Sequence, residues 1–79
     1  MKNYWNKNDN TSKDYLNVMA PDGNGGYIPV SISTVQVGQP CFLQLPNGDI
    51  IRTSKVHSWT IIGGARINTE NRTYYALDI

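Results

Sequence analysis

Cysteine is nearly absent from this chain. One residue, Cys41, forbids an internal disulfide framework. With a single histidine, His57, the chain also lacks the ligands for a four-coordinate zinc site of its own. An excess of one charge sign is missing too: seven Lys and Arg stand against six Asp and Glu, a net charge of +1. Phosphate neutralisation, which drives bulk nucleic-acid affinity, is therefore not what the composition is built for. Nor is there an apolar run long enough to span a bilayer. The stretch from Gly23 to Gly48 has no charged residue, but Pro29, Pro40, Pro46 and several Gly, Ser and Gln interrupt it, and it reads as buried or partner-facing. Lys2 and Lys7 precede no apolar segment, so no secretory leader is expected and the location expected is the cytoplasm.

What is present is short. Seventy-nine residues make one small domain, and a chain of this size buries only about 60–65% of its unfolded surface, so self-association would add needed burial. Residues 1–26 hold six of the nine asparagines and balance Lys against Asp, which describes a polar, partly disordered segment. Tyr4 and Trp5 are its anchors, either for the body of the domain or for a partner. Ser12 is placed to N-cap one helical turn through Met19, which Pro21 ends. Pro21-Asp22-Gly23-Asn24-Gly25-Gly26 has the turn residues of a wide hairpin loop, and its glycine spacing matches neither nucleotide-binding fingerprint.

The remainder, residues 27–79, reads as a single β domain. Tyr27 to Val30 is a strand that Pro29 assigns to a sheet edge. Cys41 to Leu45 and Asp49 to Thr53 are the arms of a hairpin, with Asn47-Gly48 expected to form a type I′ turn. Cys41, Leu43 and Leu45 point inward on the first arm, as does Ile51 on the second. Ser54 to Ile62 has apolar residues in both alternating sets, one containing Val56 and the other His57 and Trp59, which calls for a strand buried on both sides or bent near Ser58. Gly63-Gly64 turns into Ala65 to Thr69, with Ile67 inward. Glu70-Asn71-Arg72 turns into Thr73 to Leu77, with Tyr75 and Leu77 opposite Ile67 and Tyr74 outside. Five to six short antiparallel strands and no sustained helical period describe an all-β barrel or sandwich.

Catalysis lacks parts. Asp49, Glu70 and Asp78 sit at turns or near the end of the chain, and a Cys41–His57 nucleophile pair conflicts with an inward Cys41. No catalytic residue, cofactor or metal is expected. The best candidate surface combines Arg52, Lys55, His57, Trp59, Arg66, Arg72 and Tyr74, cations and aromatics able to pair with phosphate and stack on a base, or to anchor a protein partner. The alternative for Trp59 is that it fills the core.

Two groups of residues carry a resemblance. Val35-x-Val37-Gly38, Asn47-Gly48 and Thr53-Ser54-x-Val56 resemble the start of an SH3-like barrel. Arg52-Thr53-Ser54-x-Val56 with Ile67-Asn68-Thr69-Glu70-Asn71-Arg72-x-Tyr74 is similar to short β-proteins of bacteria and their phages, over residues 37–77. The resemblance implies an SH3-like barrel without a catalytic role. Together with a composition rich in Asn, Ile, Lys and Tyr, it implies a phage or mobile-element accessory protein that inhibits a host defence protein by binding it; the thin core adds the expectation of a homodimer or higher oligomer. Two further readings stay open: a sponge holding a phosphorylated small nucleotide at a subunit interface, and weak RNA or DNA binding.

Overall fold

The computed structural model describes residues 15–77. Those residues form an all-β fold of seven short antiparallel strands in two sheets. β1 (Asn17–Pro21), β2 (Tyr27–Val30), β3 (Phe42–Gln44) and β4 (Ile50–Arg52) make a four-stranded sheet in the order β2-β1-β3-β4. β5 (Val56–Thr60), β6 (Arg66–Thr69) and β7 (Thr73–Tyr75) make a three-stranded meander. The one helical element among the described residues is a 3-10 turn over Ile32–Thr34, capped by the Ser31 hydroxyl, which accepts the Ser33 N–H.

β1 was not expected. The Ser12 end of the anticipated helical turn lies outside the described residues, and so do Tyr4 and Trp5. From Asn17 the chain is extended and occupies the interior of the sheet. Val18 lies opposite both Val30 and Leu43, while Met19 lies opposite both Pro29 and Phe42. Both are buried, at 5% and 8% exposure. A strand covered on both faces needs consecutive apolar residues rather than alternation, and Val18-Met19-Ala20 supplies them. The sheet thus begins at Asn17 and not at Tyr27, so the β-rich body takes in part of the polar segment. The loop after β1 is the wide hairpin loop expected. Asp22 Oδ1 accepts the N–H groups of Asn24 (2.7 Å) and Gly26 (3.1 Å), and these bonds hold the Asp22 carboxyl below its ordinary range. β2 is a sheet edge, as Pro29 requires.

The β3–β4 hairpin pairs Phe42 with Arg52, Leu43 with Ile51 and Gln44 with Ile50. Its turn differs from the type I′ expectation. The Gly48 N–H donates to Leu45 O (2.8 Å) and the Leu45 N–H to Asp49 O (2.8 Å), which centres the turn on Pro46-Asn47. Pro46 fixes the negative φ that the first central position of a type I turn uses, and Gly48 follows at φ 95° as the left-handed residue of a three-residue loop.

β5 resolves its ambiguous alternation with a bulge. Val56 pairs with Thr69 and Ser58 with Asn68, so His57 is an extra residue on one side of the ladder. The inserted residue reverses parity: Val56, fully buried, and Trp59, opposite the fully buried Ile67, both face the interior. His57 and Ser58 are exposed.

The last hairpin is one residue out of the expected register. Thr69 N–H donates to Arg72 O (2.8 Å), closing a two-residue loop of Glu70-Asn71 where a three-residue turn was expected. Ile67 is therefore opposite Tyr74, and Arg66 opposite Tyr75. A one-residue slip exchanges the faces of every side chain, so Tyr74 is core at 9% exposure while Tyr75 stands out at 51%.

Both edges of the three-stranded sheet are bonded to the segments that lead into β1 and β3. On one side Tyr15 makes a parallel bridge to Ala76, its N–H donating to Tyr75 O (3.0 Å) and its carbonyl accepting from Leu77 (2.8 Å). The next N–H, that of Leu16, donates to Gln44 O in the four-stranded sheet (2.7 Å). On the other side Gly38 N–H donates to Val56 O (2.8 Å) and Val56 N–H to Gln39 O (3.0 Å). The enclosed core centres on Leu43, Val56 and Ile67, with Tyr15, Val18 and Tyr74 around them.

Candidate interaction surface

The sequence-derived patch does not assemble. Trp59 and His57 part at the bulge: His57 is exposed, while the Trp59 ring packs on the core and its Nε1–H donates to Val35 O at 3.1 Å. That bond gives the half-buried indole the partner it needs and ties β5 to the segment after the 3-10 turn. Tyr74, expected outside, is core, with the Arg72 guanidinium 5.8 Å from its ring centroid.

The cations fall into three places. Arg52, exposed, is opposite Phe42 on the outer face of the four-stranded sheet. There Tyr27 and Phe42 lie with ring centroids 5.0 Å apart over the β1 strand between them. Lys55 and Arg72 share the end of the molecule where Lys55 O accepts the Glu70 N–H (3.0 Å) and Ser54 Oγ accepts the Asn71 N–H (3.3 Å). Arg66 is at the opposite end of β6, paired with Thr60 on one side and Tyr75 on the other.

Cys41 is buried, and burial pushes its thiol up, with the Thr53 hydroxyl 3.7 Å from the sulfur acting the other way. Such a thiol stays protonated at neutral pH and is inert as a nucleophile. The Tyr15 phenol is likewise pushed up, first by burial and then by Cys41. No group of three or more His, Cys, Asp or Glu among the described residues is placed to hold a metal ion, and no helix among them is long and apolar enough to cross a membrane.

The surface that sequence reasoning missed surrounds Tyr75. On the outer face of the three-stranded sheet, Ser58, Asn68 and Thr73 make a hydrogen-bonded row: Asn68 Nδ2 donates to Ser58 Oγ (2.8 Å) and Thr73 Oγ1 to Asn68 Oδ1 (2.7 Å). The adjoining row is Thr60, Arg66 and Tyr75. Beside it a cleft of about 470 Å³ opens between Gly63-Gly64-Ala65-Arg66 and Tyr75-Ala76-Leu77. Ile61 and Ile62 enter the same turn at 56% and 87% exposure. The signal was in the sequence: two isoleucines directly before a Gly-Gly turn cannot both alternate inward. Tyr75 was hidden by the misplaced register.

Comparison with known protein families, with curated proteins and with solved structures finds no match to this chain.

Proposed function

We propose that this protein is a non-catalytic β binding module that acts by occupying a partner protein through the outer face of the three-stranded sheet. The observation that carries this reading is the exposure of Tyr75 directly opposite Arg66 on that face, with Ile61 and Ile62 exposed in the turn that follows β5. Aromatic residues and Arg are the usual anchors of protein interfaces, and covering a side chain of the size of Ile62 or Tyr75 is worth about 1.5–3 kcal/mol of apolar burial. Inhibition of a host defence protein by a phage or mobile-element product, acting as a homo-oligomer in the cytoplasm, is the specific form suggested by the likeness to short bacterial and phage β-proteins. The nucleotide-sponge and nucleic-acid readings draw less support. Both want several cations converging on phosphate, and Arg52, Lys55, Arg66 and Arg72 are dispersed.

The test is affinity capture from a bacterial host lysate with the full chain and with the double variant Ile62→Ser, Tyr75→Ser, at about 0.15 and about 0.5 M salt, where electrostatic steering is screened. A single protein retained at both salt concentrations and lost with the variant is the expected result. Equal recovery by parent and variant overturns the proposal.

A further inference from the structure

We infer that the cleft between the Gly63-Gly64 turn and the end of β7 seats an acidic, extended segment of a partner protein, one carboxylate pairing with Arg66 while a neighbouring aliphatic side chain covers Tyr75. The inference rests on the binding-module reading and names the chemistry of the partner.

Arg66 and Tyr75 are directly opposed across β6 and β7, and opposed side chains on one face of an antiparallel pair stand within about 4.5–5.5 Å at Cβ. A carboxylate on the guanidinium therefore comes with an aromatic wall beside it. Among the described residues that line the cleft, Arg66 is the one with a formal charge. Among the described residues the acids lie elsewhere. Asp22 and Asp49 are in loops of the other sheet, and Glu70 is at the far end of β6, about 13 Å from Arg66 at the rise of a strand. The described residues of the cleft thus present one positive charge and no carboxylate. One guanidinium matches one carboxylate through two parallel hydrogen bonds, whereas a phosphorylated nucleotide calls for more cationic charge than Arg66 supplies.

The walls favour main chain. Gly63 and Gly64 carry no side chain, and nothing lies within 4 Å of where a Cβ would project, so the turn side is open to a passing backbone. Ala65 and Ala76 keep the floor shallow. At about 470 Å³ the cleft holds a few side chains and not a folded surface.

The probe is the acetylated, amidated tripeptide leucyl-glutamyl-isoleucine, with its glutaminyl counterpart as neutral control, titrated into the full-length ¹⁵N-labelled protein. Expected are amide shifts confined to Gly63, Gly64, Arg66, Tyr75 and Leu77, with the neutral peptide at least fivefold weaker. Arg66→Gln, whose fold is verified by the dispersion of the same spectrum, abolishes that discrimination. Asp78→Asn, removing the acid next in sequence, leaves affinity equal or tighter. The seat is overturned by shifts that are absent or scattered, by discrimination that survives Arg66→Gln, by weaker binding in Asp78→Asn, or by adenosine monophosphate shifting these amides more strongly than the acidic peptide. If these titrations give nothing while lysate capture still depends on Ile62 and Tyr75, the seat falls and the binding module stands. Capture indifferent to those two residues removes the module itself.

Discussion

Trp59 shows how one side chain's role depends on events outside its own alternation. Its indole N–H meets Val35 O at 3.1 Å, and replacing it by Phe leaves that carbonyl without its donor while keeping most of the apolar volume. The expected cost is about 1 kcal/mol, read as a lower urea midpoint with an unchanged slope. Where a residue's placement depended only on its neighbours' alternation, the sequence was sufficient: Cys41, Leu43 and Ile67 are inward as read. Trp59 and Tyr74 were not legible in the same way. Trp59 turns inward because an extra residue precedes it, and Tyr74 because a turn contains two residues rather than three. Both are one-residue matters, and a one-residue error in a strand is a complete reversal. The candidate site inherited that reversal, since it included Trp59 and Tyr74 and omitted Tyr75.

The strand elements separate by how local their causes are. The β3–β4 hairpin and the β1–β2 loop are encoded by adjacent Pro, Asn, Asp and Gly, and they were readable, although Pro46 moved the turn by one position. β1 was not readable, because Val18 is covered by the core and Met19 by side chains of the neighbouring strands on the other face, and its polar flanks masked the three apolar residues at its centre. The bulge in β5 makes a sharp test of what an element requires as distinct from what a side chain contributes. His57 is exposed, so His57→Ala is expected to change stability by no more than about 0.5 kcal/mol. Deleting His57 removes the bulge and leaves Val56, Ser58 and Trp59 in plain alternation against Thr69, Asn68 and Ile67, with Trp59 still inside, so the deletion variant is expected to keep a cooperative unfolding transition. Circular dichroism melts of the two variants check the pair; a deletion variant without a cooperative transition would mean that the bulge does more than set the parity of β5.

At the scale of the molecule, backbone bonds tie both edges of the three-stranded sheet to the segments leading into β1 and β3, through Tyr15 with Ala76 and through Gly38 and Gln39 with Val56. An all-β architecture followed from turn spacing alone. Its division into four strands and three, and the closure between them, did not, because each closing contact joins residues far apart in sequence and leaves no periodic trace. Pro29 on β2 has a protective role at this scale, since an edge strand lacking one N–H is a poorer template for pairing with other chains.

The bridge between Tyr15 and Ala76 also bears on where the polypeptide needs to be open. Because the described chain enters and leaves at one place, joining residue 79 to residue 1 turns residues 78–79 and 1–14 into a connecting loop, and closing a loop of that length adds little entropy. New ends can then be cut between Asn47 and Gly48, both exposed at the tip of the β3–β4 hairpin. Such a circular permutant is expected to keep the dispersed amide spectrum of the parent; a collapsed spectrum would show that the hairpin connection is required. In topological terms the fold is a ring cut once, and the position of the cut is a matter of gene order more than of packing.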